Sequence, residues 1–165
     1  MNSKFTSDTI SGMSHYKAKI SWKSSSEEEF TRNKYSRGHE WEFDEGLKIP
    51  ASSSPFVVRV PFSVEAAVDP EEAVVAAASS CHMLTFLYLA KKSGFIVSSY
   101  TDSAEGEMSI NEEGRPFLSK ITLDPQIEWA GDKLPTSQEI AELHHNAHLE
   151  CPIANSIKGD VIIKT

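Results

Sequence analysis

One uncharged run, residues 73–90, limits the folds open to this chain. It lies within "VDPEEAVVAAASSCHMLTFLYLAKKSGF", where Asp69 is a candidate N-cap and Pro70 would occupy the first turn. Glu72 stands at the capping-box position, and Gly94 follows the basic end of the segment. These start and stop signals predict one long helix.

The predicted helix is apolar nearly all round, which indicates a central helix wrapped by protein rather than a surface helix with one wet face. Its length approaches that of a membrane span. Polar residues nevertheless cluster at its centre, where lipid penalises them most, namely Ser79, Ser80, His82 and Thr85. We therefore expect a buried helix and no membrane partner.

Alternation of apolar and polar side chains with a period of two predicts strands on both sides of this helix. Two precede it, in "HYKAKISW" (residues 15–22) and "HEWEFDEG" (residues 39–46). Two follow it, around "YTDSAEGEMSI" (residues 100–110) and "LSKITLDPQIEWA" (residues 118–130), and "NEEGRP" joins them as a hairpin. "DVIIKT" (residues 160–165) is predicted to close the chain as a strand.

A second helix is predicted in "PTSQEIAELHHNAHLE", where Thr136 and Glu139 form a capping box. Pro152 should end it and start a short helix. Strands and helices are segregated rather than regularly alternating, so the fold class is α+β. We expect a flexible N-terminal segment, residues 1–14, followed by a single domain over residues 15–165.

Composition excludes several classes of function. A chain of 165 residues with 39% hydrophobic content suits one domain, or one subunit whose core a partner completes. The formal charge of -8 disfavours nucleic acid and anionic membranes as partners, because both require clustered basic residues. The first residues resemble neither a secretory signal nor a transit peptide, so we expect a cytoplasmic protein.

The chain has two cysteines, and in the cytoplasm such a pair is more often reduced, catalytic or metal-bound than a permanent staple. Cys151 should lie near the N-terminus of the short helix, whose positive potential would favour its thiolate. Cys81 lies near the middle of the long helix, where burial alone would favour the neutral thiol. Its reactivity would therefore require a cation from another element.

Arginine is the better candidate for that cation, because His82 is adjacent to Cys81 on a helix and should point in another direction. Arg37, in "YSRGHEWEF", is our choice, since it stands at the entrance of a strand from which a long side chain can reach a helix. Arg32 and Arg59 are alternatives.

A rival interpretation concerns "HHNAHLEC". His144 and His148 lie four apart on one helical face, and Cys151 follows three residues later, which are plausible zinc ligands by type and spacing. A metal hydrolase would also need a third firm ligand and a positioned base, and Pro152 puts the direction of Cys151 in question. Histidines that pack on a helix surface are the simpler interpretation.

The motif "VDPEEAVVAAASSCHMLTFL", followed seventy positions later by "CPIANSI", resembles the OsmC/Ohr family of thiol-dependent peroxidases. The resemblance covers the chain from about Tyr16, including "YSRGHEWEF" and the closing strand. It implies an OsmC-like fold in which antiparallel sheets pack around long central helices. It also implies an intertwined homodimer with sites at the subunit interface.

The resemblance further implies that Cys81 is peroxidatic, that Cys151 resolves it, and that Arg37 and Glu71 complete the site. The implied activity is antioxidant, part of an oxidative stress response. It is the reduction of organic hydroperoxides to alcohols through a Cys81 sulfenic acid and a Cys81–Cys151 disulfide. No bound cofactor is implied, and an external thiol or dithiol, such as a lipoylated protein, would reopen the disulfide.

Helix geometry limits how Glu71 can act. Ten residues on a helix separate it from Cys81 by ~15 Å of rise, so Glu71 must act through Arg37 or come from a second subunit. The alternative from another functional class is a non-catalytic dimeric protein of the same fold that binds a small molecule near Cys81.

Overall fold

The computed structural model describes residues 14–165, which leaves residues 1–13 of the expected N-terminal segment outside the description. The chain divides into two compact units, residues 1–69 and 70–165.

The first unit is built on a three-stranded antiparallel sheet. Its strands lie side by side in the order β1-β2-β3, and Trp41 of the middle strand lies opposite Ile20 and Ile49. The two strands predicted before the long helix are confirmed, with shorter bounds. The elements are β1 (Lys19–Ser21), α1 (Glu27–Thr31), β2 (His39–Glu42) and β3 (Lys48–Ala51).

The short helix α1 was not expected, because "SSSEEE" is typical of a solvated loop. Its N-cap is Ser26, whose hydroxyl accepts a hydrogen bond from the Glu29 N–H at 3.3 Å. Acidic residues fill the first turn, where the helix dipole favours them. Local capping therefore makes a single helical turn out of a strongly polar segment.

The second unit contains the two long helices and five strands. A two-stranded antiparallel sheet joins β4 and β7, and a three-stranded sheet has the order β5-β6-β8, in which β6 and β8 run parallel. The α+β class is confirmed. The elements are α2 (Pro70–Lys92), β4 (Ile96–Asp102), β5 (Glu105–Ile110), β6 (Pro116–Leu123), β7 (Pro125–Ala130), α3 (Ser137–Glu150) and β8 (Asp160–Ile163).

The hairpin predicted at "NEEGRP" is confirmed, but each of its strands is divided in two. The inner halves, β5 and β6, pair with each other, and the outer halves, β4 and β7, form the separate sheet. At the division, the carboxylate of Asp102 accepts a hydrogen bond of 2.7 Å from the backbone N–H of Asp124. This bond satisfies an N–H that neither sheet uses.

The buried residues of this unit form two clusters on α2. One contains Phe86 and Ala90 of α2 with Phe95, Leu143 and Ala147, and the other contains Ala78 with Ile121 and Leu123. One face of α2 remains open, since Leu84 is 61% exposed and Tyr88, one turn further along the same face, is 41% exposed. The expectation of a helix wrapped on all sides is therefore wrong for the single chain.

Within residues 14–165, α2 alone has the length and apolar composition to cross a bilayer. Two of the residues that interrupt its apolar run point into the protein, since His82 is 1% exposed and Thr85 is 6% exposed, whereas Ser80 is exposed. Its small and aromatic side chains pack on α3 and on β6. These contacts are those of a core helix.

The predicted capping box of α3 is confirmed. Glu139 N–H donates to the Thr136 hydroxyl at 3.2 Å, and Thr136 N–H donates to the Glu139 carboxylate at 2.8 Å. The short helix expected after Pro152 is only a single 3-10 turn, Ala154–Ser156. Cys151 consequently caps the C-terminus of α3 instead of opening a new helix.

Candidate functional site

The structure brings the two cysteines together. Cys81 is half-buried in the middle of α2, and Cys151 is fully buried at the end of α3. Both are free thiols, and Cys151 donates to Cys81 with a distance of 2.8 Å between the two Sγ atoms. Residues that are seventy positions apart in sequence therefore form one thiol pair.

The loop after α3 fixes the position of Cys151. The side-chain amide of Asn155 donates to the carbonyl oxygens of Leu149 and Cys151, at 3.0 Å each. The backbone N–H of Ala154 points at the Cys151 sulfur, 3.4 Å away. These bonds satisfy carbonyls that the end of α3 would otherwise leave free.

The Cys151 thiol is held in its neutral form. Burial, followed by its hydrogen bond to Cys81, raises its pKa to about 11, although the Ala154 N–H acts in the opposite direction. The expectation that a helix N-terminus would favour its thiolate is wrong. Cys151 ends one helix, and the residues behind it direct the N–H groups of Ile153 and Ala154 towards its sulfur without forming a full helical terminus.

A buried pair of histidines lies between the same two helices. His82 Nε2 and His144 Nδ1 are 3.0 Å apart, and the two rings are nearly parallel, with 4° between their planes. The rings are 1% and 3% exposed. His82 Nδ1 is buried and has no hydrogen-bond partner among the described residues.

Both histidines are neutral at pH 7. Burial, together with the nearby rings of His144 and His148, lowers the pKa of His82 to about 4. Burial also lowers the pKa of His144 to about 4, while the Asp102 carboxylate acts in the opposite direction on both rings. His82 therefore does not supply a positive charge to Cys81. This agrees with the prediction from its position next to Cys81 on the helix.

Asp102, at the end of β4, links α2 to the sheets of the second unit. Its carboxylate accepts a hydrogen bond of 2.5 Å from the Ser79 hydroxyl, one helical turn before His82. This side chain was missed from the sequence, because "YTDSAEGEMSI" alternates through Asp102 without a signal that it turns inward. The arrangement explains one of the hydroxyls that interrupt the apolar helix.

Arg37 lies in the first unit. Its guanidinium donates to the Tyr35 carbonyl and the Asn33 side chain, at 2.6 Å each, and stacks on the Tyr35 ring at 3.8 Å from the centroid. The alternative Arg32 forms an exposed ion pair with Glu28 at 3.0 Å. The function of Arg37 at Cys81 stays a prediction.

Glu71 lies in the first turn of α2. The straight helix keeps it about 15 Å of rise from Cys81, as expected from ten residues. The structure therefore does not place Glu71 beside the thiol pair, and its assignment to the site stays a prediction.

The rival zinc site receives no support from the geometry. In the part of the chain that the structure describes, no three His, Cys, Asp or Glu side chains are grouped so as to hold a metal ion. His144 directs its Nδ1 at His82, and Cys151 directs its sulfur at Cys81. Two of the three candidate ligands are thus engaged with α2, and the buried Nδ1 of His148 has no hydrogen-bond partner among the described residues.

The family of this chain follows from its sequence and fold together. The model of the OsmC-like protein family matches residues 63–165. This chain belongs to the OsmC-like family. The family includes proteins that are associated with hydroperoxide-related redox function.

Solved structures agree with this assignment. An OsmC-like protein of unknown function from Vibrio cholerae is 51% identical, with a TM-score of 0.89 over 92% of this chain and 99% of that chain. An organic hydroperoxide resistance protein of Legionella pneumophila is 19% identical, with a TM-score of 0.66 over 93% and 96% of the two chains.

A further fold relative is the organic hydroperoxide resistance protein of Bacillus subtilis. It is 17% identical, with a TM-score of 0.64 over 93% of this chain and 97% of that chain. At such identities the likeness shows the fold alone. No match was found among the curated proteins.

The buried histidines predict how stability depends on pH. Their pKa values in the folded protein, about 4, lie below the usual value of 6.5, so the unfolded chain binds more protons between these limits. Their contribution to stability is complete above pH 6.5 and is lost as the pH falls towards 4. From pH 7 to pH 5 the free energy of unfolding should fall by about 1–2 kcal/mol for each histidine.

Urea denaturation of the wild type and of His144→Asn, at one protein concentration, checks this. The variant lacks one of the two groups, so its free energy of unfolding should fall by less over the same pH range. Equal falls in the two proteins would contradict neutral burial of His144.

Proposed function

We propose that this protein is a thiol-dependent peroxidase that reduces organic hydroperoxides to alcohols. The observation that carries the proposal is the distance of 2.8 Å between the sulfurs of Cys81 and Cys151. A disulfide needs about 2.05 Å between its sulfurs, so the pair can close with a small movement. The family of the chain supports the same chemistry.

Cys81 is the proposed point of attack, because it is half-buried whereas Cys151 is completely buried. Its thiolate attacks one peroxide oxygen, the O–O bond breaks, and the alcohol leaves with a proton from solvent. Cys81 becomes a sulfenic acid. By resemblance to the family, Arg37 would stabilise the thiolate and orient the peroxide, and Glu71 would hold the guanidinium.

Cys151 completes the oxidative half of the cycle. Its sulfur attacks the Cys81 sulfenic acid, a disulfide forms, and the hydroxyl group leaves as water with the proton of the Cys151 thiol. Because the thiolate is the attacking species, the Cys151 proton must pass to the leaving hydroxyl as the S–S bond forms. Burial of Cys151 also keeps other thiols from reaching its sulfur before Cys81 is oxidised.

The cycle needs two electrons to reopen the disulfide. We propose an external thiol or dithiol as their source, such as a lipoylated protein, and no bound cofactor. The half-exposed position of Cys81 leaves one sulfur of the disulfide open to such a reductant. A cytoplasmic location would supply these thiols.

Organic hydroperoxides are the proposed substrates in preference to hydrogen peroxide. Cys81 is followed on α2 by Met83 and Leu84, and Leu84 is 61% exposed. Apolar side chains beside the thiol would bind the hydrocarbon part of a substrate, which hydrogen peroxide lacks.

We also propose a homodimer with shared sites. Large apolar side chains are exposed on both units of the single chain, among them Tyr88 on α2 and Phe56, which is fully exposed. Apolar exposure of this extent is typical of a surface that a partner covers. The distance between Glu71 and Cys81 agrees with a site completed by a second subunit.

Sedimentation velocity tests the dimer. We expect a single species with the mass of two chains at micromolar concentration, because a monomer would leave α2 open to water. A species with the mass of one chain over the same concentrations would contradict the proposal.

Trapping of the intermediate tests the activity. In Cys151→Ser the sulfenic acid of Cys81 cannot be resolved, so dimedone added with cumene hydroperoxide should label one site per chain, mapped to Cys81 by mass spectrometry. Cys81→Ser is the matched control and should remain unlabelled. Labelling of Cys151→Ser should be about tenfold or more faster with cumene hydroperoxide than with hydrogen peroxide, since apolar contact favours the organic substrate.

Two results would contradict the proposal. Absence of the adduct in Cys151→Ser would favour the non-catalytic interpretation, in which the fold binds a small apolar molecule near Cys81. Faster labelling with hydrogen peroxide would overturn the substrate preference while leaving the peroxidase chemistry in place.

A further inference from the structure

Two of the polar contacts between α2 and α3 start from adjacent residues of α2 and reach positions two turns apart on α3. One is the thiol pair, and the other is the hydrogen bond between His82 Nε2 and His144 Nδ1. We propose that His82 and His144 are positioning residues, whose mutual hydrogen bond sets the distance between Cys81 and Cys151. The inference rests on the proposed function only in treating the two thiols as the reacting pair.

The placement of the four residues supports this role. His82 directly follows Cys81 on α2, so a shift of this ring along or around the helix moves the thiol with it. His144 lies seven residues before Cys151 on α3, which is two helical turns and the same face. The hydrogen bond therefore acts on both thiols over a short stretch of rigid helix.

The apolar contacts around the histidines define the relative position of the two helices less sharply. Around the histidines the packing consists of Phe86, Leu143 and the small residues Ala90 and Ala147. Apolar contacts of this kind are not directional, whereas a hydrogen bond tolerates only a few tenths of an ångström before it weakens. The Phe86 ring also stacks on His144, with 4.4 Å between centroids, which limits the rotation of the imidazole.

Burial makes the hydrogen bond between His82 and His144 costly to break. Both rings are almost completely excluded from water, so sliding the helices apart would leave a ring nitrogen without a partner in an apolar interior. The Nδ1 atom of His82 has no hydrogen-bond partner among the described residues. The position of the ring is therefore fixed by the hydrogen bond of its Nε2 atom.

The experiment measures closure of the thiol pair without any peroxide. Reduced full-length protein is mixed with 4,4′-dithiodipyridine, whose S–S bond the more exposed Cys81 thiolate attacks, releasing one pyridine thione. The Cys151 thiol then attacks the Cys81 sulfur, releases the second thione and forms the protein disulfide. The rate of the second release, followed by absorbance, reports how well the two thiols are placed.

The main variant is His82→Leu/His144→Leu, which removes both partners and leaves no unpaired nitrogen, so it should fold. We expect its second thione release to be about 10-fold to 100-fold slower than in the wild type, because displacement of about 1 Å has effects of this size on reacting groups. His144→Asn retains an acceptor near the position of Nδ1 and should recover most of the rate.

Two controls separate positioning from general stability. Leu143→Ala weakens the same interface by removing a buried side chain but keeps the hydrogen bond, so it should lower the melting temperature and leave closure within about twofold. His145→Gln changes an exposed neighbour on α3 and should alter neither quantity.

Closure at the wild-type rate in the double leucine variant would overturn the inference. So would equal slowing in Leu143→Ala, because closure would then follow stability and not the hydrogen bond. Failure of the proposed peroxidase is a separate result, since it would appear as no dimedone adduct with hydroperoxide while closure with dithiodipyridine remained fast. If the double variant does not fold, slow closure in His144→Leu with recovery in His144→Asn decides the matter.

Discussion

The packing of α2 against α3 is the constraint on which the candidate site depends. Cys81 lies in the middle of α2 and Cys151 at the end of α3. The two thiols can therefore meet only where the two helices pack against each other. Alanines in the interface let the helix axes approach closely, and the sulfurs meet at 2.8 Å. The chemistry proposed for the protein is a consequence of this approach.

Local signals predicted the two long helices well, whereas contacts between residues far apart in sequence could not be read from such signals. The start of α2 at Pro70 and the capping box at Thr136 depend on neighbouring residues, so the sequence contains them in readable form. The hydrogen bond at the division of the hairpin into two sheets joins Asp102 to Asp124, which lies 22 positions away. Alternation within a strand carries no information about such a partner.

The site was predicted in part for the same reason. Resemblance of motifs selected Cys81 and Cys151, and the structure places the two thiols together. The ionisation expected for Cys151 was wrong, since it depended on a helix that is only a 3-10 turn. The pairing of His82 with His144 was missed, because periodicity places each ring on a buried face without indicating that the two faces meet.

The measurement that tests the central claim most directly is intact mass and non-reducing peptide mapping after one equivalent of an organic hydroperoxide is added to the reduced wild-type protein. The account predicts rapid loss of two hydrogens per chain and a crosslinked peptide that contains Cys81 and Cys151. If both thiols stay reduced while the peroxide persists, the thiol pair is not a peroxidase centre, and the family would then account for the fold alone.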